Sequence, residues 1–137
     1  MKKLRILRIN SPYITDEGLQ ELPKLSQLES VSFQDSGIQS PGIFSRLPRL
    51  TELDLSGSKV SDSTADSISG LVSIRSLFLQ RTALTDSSIE VFSPLSSLKV
   101  LYVGPDITEH AVRHLHKSLS SCHISIVDRG GSVSFSL

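Results

Sequence analysis

LTELDLSGSKVSDSTADSISGL, residues 50–71, and IRSLFLQRTALTDSSIEVFSPL, residues 74–95, are one pattern written twice. Displaced by 24 residues, Leu50, Leu53, Leu55, Val60, Ala65, Ile68 and Leu71 fall on Ile74, Leu77, Leu79, Leu84, Ile89, Phe92 and Leu95. Ser61-Asp62 falls on Thr85-Asp86. Apolar meets apolar at every framework position. Self-similarity at a fixed spacing of about 20 to 50 residues marks a solenoid or propeller, in which each unit buries its apolar face only by stacking on the next.

Outward from this pair, the frame Lxx(L/V)x(L/I/V/F) begins at Leu4, Leu28, Leu50, Ile74 and Leu98, with a partial sixth copy at Ile124 and Ile126. The apolar pairs Leu7/Ile9, Val31/Phe33, Leu53/Leu55, Leu77/Leu79 and Leu101/Val103 have the period of two that predicts a short strand with one buried face. Ile14, Ile38, Val60 and Leu84 follow five positions later; Ile107 comes one residue sooner. Thr15-Asp16, Ser61-Asp62, Thr85-Asp86 and Thr108-Glu109 then signal helix starts, since their side-chain oxygens accept from exposed backbone N–H groups.

Beyond each start the apolar spacing changes to three and four. Leu19/Leu22, Ile68/Leu71, Ile89/Phe92 and Val112/Leu115/Leu119 predict short helices with one buried stripe. Pro23, Pro48 and Pro94 limit these segments to about two turns. The second repeat is two residues shorter and lacks Thr-Asp, but Ser40-Pro41 offers a cap followed by proline at the first helical position. An irregular or 3₁₀ segment is expected there.

The pattern LxxLxLxx(S/T)x(L/V)(S/T)Dxx(I/A)xx(I/F)xxL resembles the leucine-rich repeat family. It is most similar to the class with Thr-Asp on the convex side, found in bacterial repeat proteins and F-box adaptors. The resemblance runs over residues 4–127. It implies an α/β fold: a right-handed leucine-rich repeat solenoid with a concave parallel β-sheet and short convex helices. Where many members carry Asn or Cys after the strand, this chain has Pro12, Ser36, Ser58, Thr82 and Asp106, so hydroxyl and carboxylate groups stand in for an asparagine ladder. Residue periodicity alone leads to the same place. Strand and helix alternating at so short a period hide their apolar stripes only in a shared, stacked core. Residues 1–137 read as one such domain.

The chain has 14 basic and 14 acidic side chains, a formal net charge of zero, so no global field draws it to nucleic acid or an anionic membrane. Serine is the most frequent residue, but the serines fall between regularly spaced aliphatics and read as turn and cap residues. Arginines interrupt the apolar residues of MKKLRILRIN before a secretory h-region can form, and no run approaches a membrane span. Cys122 is the single cysteine, which rules out an internal disulfide and makes the cytoplasm the expected compartment.

Solenoid ends expose apolar edges unless capped. The first strand begins within a few residues of Met1, with Lys2, Lys3, Arg5 and Arg8 placed to discourage edge pairing. An open edge of this kind is also where two copies would join, so monomer and edge-paired oligomer both stay open. At the other end, residues 124–137 alternate on both sides of Gly130-Gly131, a hairpin in which Val133, Phe135 and Leu137 would cover the last repeat.

Residues flanking the buried pairs face the concave side. They form the columns Ile6, Ser30, Glu52, Ser76, Val100; Arg8, Ser32, Asp54, Phe78, Tyr102; and Asn10, Gln34, Ser56, Gln80, Gly104. Phe78 and Tyr102 fall side by side, where aromatics anchor protein partners. Arg5 and Arg8, then Glu29, Asp35, Glu52 and Asp54, then Arg75, Arg81 and Lys99 make a positive, negative, positive order. That order would set the register of a complementary partner, or be spent on internal pairs such as Arg8 or Arg75 with Asp54. The partner-binding set is therefore Phe78, Tyr102, Arg8, Glu52, Asp54, Arg75, Gln80, Arg81 and Lys99.

No catalytic, cofactor or metal site is read from the sequence. His110 and His114 share a helix face without a third ligand, Cys122-His123 lacks a partner acid, and neither a phosphate loop nor GxSxG is present. Single-stranded nucleic acid on Arg75, Arg81, Lys99, Phe78 and Tyr102 is the lesser alternative, opposed by Glu52 and Asp54.

Overall fold

The computed structural model describes residues 3–137; Lys2, expected at the N-terminal edge, lies outside the described residues. Among the described residues seven strands form one sheet in chain order. They are β1 (Ile6–Arg8), β2 (Ser30–Ser32), β3 (Glu52–Asp54), β4 (Ser76–Leu79), β5 (Val100–Val103), β6 (His123–Val127) and β7 (Val133–Ser136). The first six pair in parallel and in register, Leu7 with Val31, Leu53, Leu77, Leu101 and Ile124. A second inward row runs through Phe33, Leu55, Leu79, Val103 and Ile126. Both rows are buried from the second repeat onward, because each repeat lies between two others.

On the convex side the second repeat has the 3₁₀ segment expected of it, while the first, third and fourth repeats depart from the expected helices. Glu17–Leu19, Leu22–Lys24, Pro41–Arg46, Asp62–Gly70 and Asp86–Phe92 are 3₁₀ segments. Among the described residues only α1 (Glu109–Ser118) is an α-helix. Composition gives the reason. DSTADSISG is dominated by Ser, Thr, Asp and Gly, which favour caps and turns over helix interiors, whereas EHAVRHLHKS carries Ala, Leu, Arg, Lys and Glu. The steeper rise of a 3₁₀ segment, about 2.0 Å per residue, spans the convex side with few residues.

The Thr-Asp pairs act mainly between repeats. Thr85 and Thr108 hydroxyls do accept from Ser87 N–H and Ala111 N–H within their own segments. The aspartates instead reach forward. Asp62 accepts from the Thr85 N–H at 3.0 Å and from the Thr85 and Ser88 hydroxyls. Asp86 does the same to the Thr108 N–H and hydroxyl, at 2.8 and 2.7 Å. Asp16 accepts from the Gln39 and Ser40 N–H groups. Each carboxylate thus satisfies the orphan donors of the following segment's start. Burial pushes the Asp62 carboxyl up, but the bonds from Ser88 and Thr85 outweigh it and hold the group below its ordinary value.

No equivalent ladder forms after the strands. Thr82 donates to its own Leu79 carbonyl, Ser36 accepts from Ile38 N–H, and the buried Ser58 hydroxyl finds no partner. The hydroxyls that do bond at this position do so within their own repeat.

At the C-terminal end β7 runs antiparallel to β6. Phe135 and Leu137 pack against the core, and the Arg113 guanidinium of α1 lies 4.9 Å from the Phe135 ring centroid. Val133 remains 54% exposed, since the pairing register shifts between Ile126 and Val127. At the N-terminal end Ile6 and Ile9 are exposed. A cleft of about 400 Å³ lined by Leu7, Ile14, Leu19, Leu22 and Phe33 opens onto the core.

Candidate functional site

A strand puts alternate side chains on opposite faces, so the register that buries Leu53, Leu77 and Leu101 sends their neighbours to the concave side. Ile6, Ser30, Glu52, Ser76 and Val100 form one column, and Arg8, Ser32, Asp54, Phe78 and Tyr102 the next. The sixth strand extends both, adding His123 and Ser125. These two were missed from sequence although they flank the recognised pair Ile124/Ile126. Their side chains meet, His123 Nε2 lying 3.1 Å from Ser125 Oγ.

Phe78 and Tyr102 are direct cross-strand neighbours, ring centroids 5.2 Å apart at 82°. This edge-to-face geometry sets the positive rim of one ring against the negative face of the other. Both rings remain half-buried, so the contact between them leaves apolar surface on the concave face.

The charged residues divide into two groups. Arg8 reaches Glu52 at 3.8 Å, and Glu52 also accepts from the Ser30 hydroxyl at 2.9 Å. Asp54 takes no arginine: it accepts from Gln34 Nε2 at 2.6 Å and from the Ser56 N–H and hydroxyl. The anticipated pairing of Arg8 or Arg75 with Asp54 is thus replaced by nearer polar partners. Arg81, placed by sequence on the partner surface, is tied back two repeats to Asp35 at 2.5 Å. Gln80 is half-buried with its Oε1 unpartnered. Arg75 and Lys99, by contrast, are exposed and form no ion pair among the described residues.

The Arg81–Asp35 pair depends on the backbone beneath it. Asp35 (φ 55), Gly57 (φ 72) and Arg81 (φ 57) occupy equivalent left-handed positions in three successive repeats. Any Cβ on Gly57 would overlap the Asp35 carboxylate, so the bare glycine lets the guanidinium cross over the middle repeat. Asp followed by Gly at one repeat position is the sequence signal for this turn, and it was overlooked.

The remaining chemistry is sparse. His114 Nε2 contacts Glu90 Oε1 at 2.6 Å. No group of three His, Cys, Asp or Glu side chains among the described residues is placed to hold a metal ion. Burial pushes the Cys122 thiol up to about 11, partly opposed by Lys99, which leaves it protonated and a poor nucleophile at neutral pH. No helix among the described residues is long and apolar enough to cross a membrane.

Comparison with known proteins agrees with this architecture. A sequence profile described as "Leucine rich repeat" matches residues 26–84. An internalin from Listeria monocytogenes is similar in structure, with a TM-score of 0.74 and 27% identity over 90% of this chain and 34% of that one. Internalin C2 from the same organism has a TM-score of 0.65 and 28% identity over 88% of this chain and 50% of that one. A leucine-rich repeat protein of Leptospira interrogans, 23% identical with a TM-score of 0.61 over 76% of this chain and 26% of that one, shares the fold. This chain therefore spans a third to a half of the two internalin chains, 34% and 50%. A search of curated proteins finds no match by sequence.

Proposed function

We infer that this chain, a leucine-rich repeat protein, is a non-enzymatic scaffold that binds another protein on its concave face. The observation that carries the reading is the Phe78–Tyr102 pair, an edge-to-face aromatic shelf left half-open on the concave face, whose carboxylates Glu52 and Asp54 are already partnered. Rigid aromatics lose little side-chain freedom on binding and supply large contact area, which is why they dominate interface hot spots. The leucine-rich repeat fold commonly serves as a protein-interaction module, and a sheet whose backbone is locked by neighbouring rungs offers a pre-formed surface. The single buried thiol fits a reducing, cytoplasmic setting.

The test is capture of partners from native lysate by wild type and by Phe78→Ala/Tyr102→Ala, with circular dichroism to confirm an unchanged fold. Loss of the captured protein supports the reading; undiminished capture with the fold intact refutes it. A second reading, self-assembly through the first strand, is favoured by the apolar cleft at Leu7, Ile14 and Phe33. Light scattering decides it: a mass that stays monomeric as concentration rises removes self-assembly.

A further inference from the structure

We propose that the partner presents an acidic segment, its carboxylates bound by Arg75 and Lys99 along the leading rim of the sheet while an adjacent apolar side chain rests on Phe78 and Tyr102. The proposal rests on the concave-face reading above and names the chemistry of what binds there.

The zero net charge conceals a segregation. Immediately ahead of the strands, Arg5, Glu29, Thr51, Arg75 and Lys99 form a continuous backbone ladder: each after Arg5 donates its N–H to the carbonyl of the one before it at 2.7–2.9 Å. Their side chains therefore sit one rung apart, about 4.8 Å. This rim carries Arg5, Arg75 and Lys99, with Lys3 and Arg49 beside it around a cleft at its N-terminal end, against the single carboxylate of Glu29. Glu29 is already engaged. Arg5 donates to it at 2.5 Å, and that bond, with the charges of Arg5 and Arg49, holds its carboxyl below the ordinary value although burial opposes this. Arg75 and Lys99 are left on consecutive rungs without a carboxylate.

A second observation lies beside Lys99. A small cleft of about 140 Å³ is lined by Lys99 and by Ser96, Ser118, Ser120 and Ser121, with Leu98, Leu119 and Cys122 and no acidic side chain among its walls. An ammonium group with hydroxyls suits a carboxylate, as charge-assisted hydrogen bonds are the stronger kind. Phe78 and Tyr102 stand three residues further along the same two strands. A chain crossing the rim would thus meet two cations and then an aromatic shelf. A nucleic-acid strand fits less well. Its charges recur along the whole backbone and would run onto Glu52 and Asp54, while Arg81, needed to extend the cationic track, is held by Asp35.

The test uses a displayed library of random linear peptides, selected in parallel on wild type, Arg75→Glu/Lys99→Glu and Phe78→Ala/Tyr102→Ala, with an oligothymidylate as separate probe. All four positions are exposed or half-exposed, so the variants should fold, and thermal melting confirms it. The expected result is wild-type selection of peptides with Asp or Glu beside an aromatic or aliphatic residue. Their affinity should fall about tenfold or more on charge reversal, and the reversed rim should select Lys and Arg instead. Peptides that need Phe78 and Tyr102 but show no acidic preference overturn this proposal and leave concave-face binding standing. Peptides indifferent to both pairs overturn both readings. Oligothymidylate binding that weakens steeply with salt, without peptide selection, overturns the proposal in favour of nucleic acid.

Discussion

Gly57→Ala tests whether the left-handed column after the strands is built as described. Gly57 has φ +72 and lies between Asp35 and Arg81, whose side chains meet across its Cα. An alanine there meets two separate costs. The left-handed backbone costs an L-residue about 1 kcal/mol. The new Cβ would also overlap Asp35 Oδ1 and stand 3.0 Å from Arg81 Nη1, so the pair must swing apart. With the two side chains 42% and 45% exposed, losing their attraction alone costs about 0.5 kcal/mol, and relieving the overlap adds a similar amount. Urea unfolding should show a total loss of about 2 kcal/mol, set by these terms together. In an Asp35→Gly background, where the overlap is gone, the same alanine should cost about 1 kcal/mol, the backbone part alone. Equal losses in the two backgrounds would refute the crossing of Arg81 over Gly57. A neutral Gly57→Ala would refute the left-handed turn as well.

Two further outcomes follow from the packing and the convex carboxylates. Leu77→Ala, on a fully buried central rung, should cost about 3 kcal/mol in urea unfolding, while Leu7→Ala on the partly open first rung should cost about 1 kcal/mol; similar losses would contradict a core that closes only by stacking. Asp62 has a folded pKa below its ordinary value, so its contribution is present above the usual carboxylate range and lost as pH falls through the folded value. Wild type should therefore lose its advantage over Asp62→Asn only below about pH 4. A difference that stays flat across that range in pH-dependent urea midpoints would show that the charge is not what Thr85 and Ser88 hold.

The inward half of this protein was legible because burial constrains residue type at every framework position. Leu7, Val31, Leu53, Leu77, Leu101 and Ile124 are recognisable at a glance and pair in register. The same alternation placed Phe78 beside Tyr102, since strand geometry leaves side chains only two faces. Convex segments were less legible. A spacing of three to four does not distinguish α from 3₁₀ turns over seven to nine residues, and the Ser-rich composition that decides the matter acts through weak propensities.

What the sequence determined by itself was the stack: a period of 24 residues, apolar at fixed offsets, has one economical way to hide those side chains from water. What only the tertiary structure decided was which polar groups remain free. Arg81 and Arg75 look alike along the chain, yet a left-handed turn and an absent Cβ give one to Asp35, while the other stays exposed on the rim. Charge partners are chosen by distances of a few ångströms between residues 20 to 46 positions apart. Periodicity carries no such information, because a solvated side chain satisfies it with either arrangement.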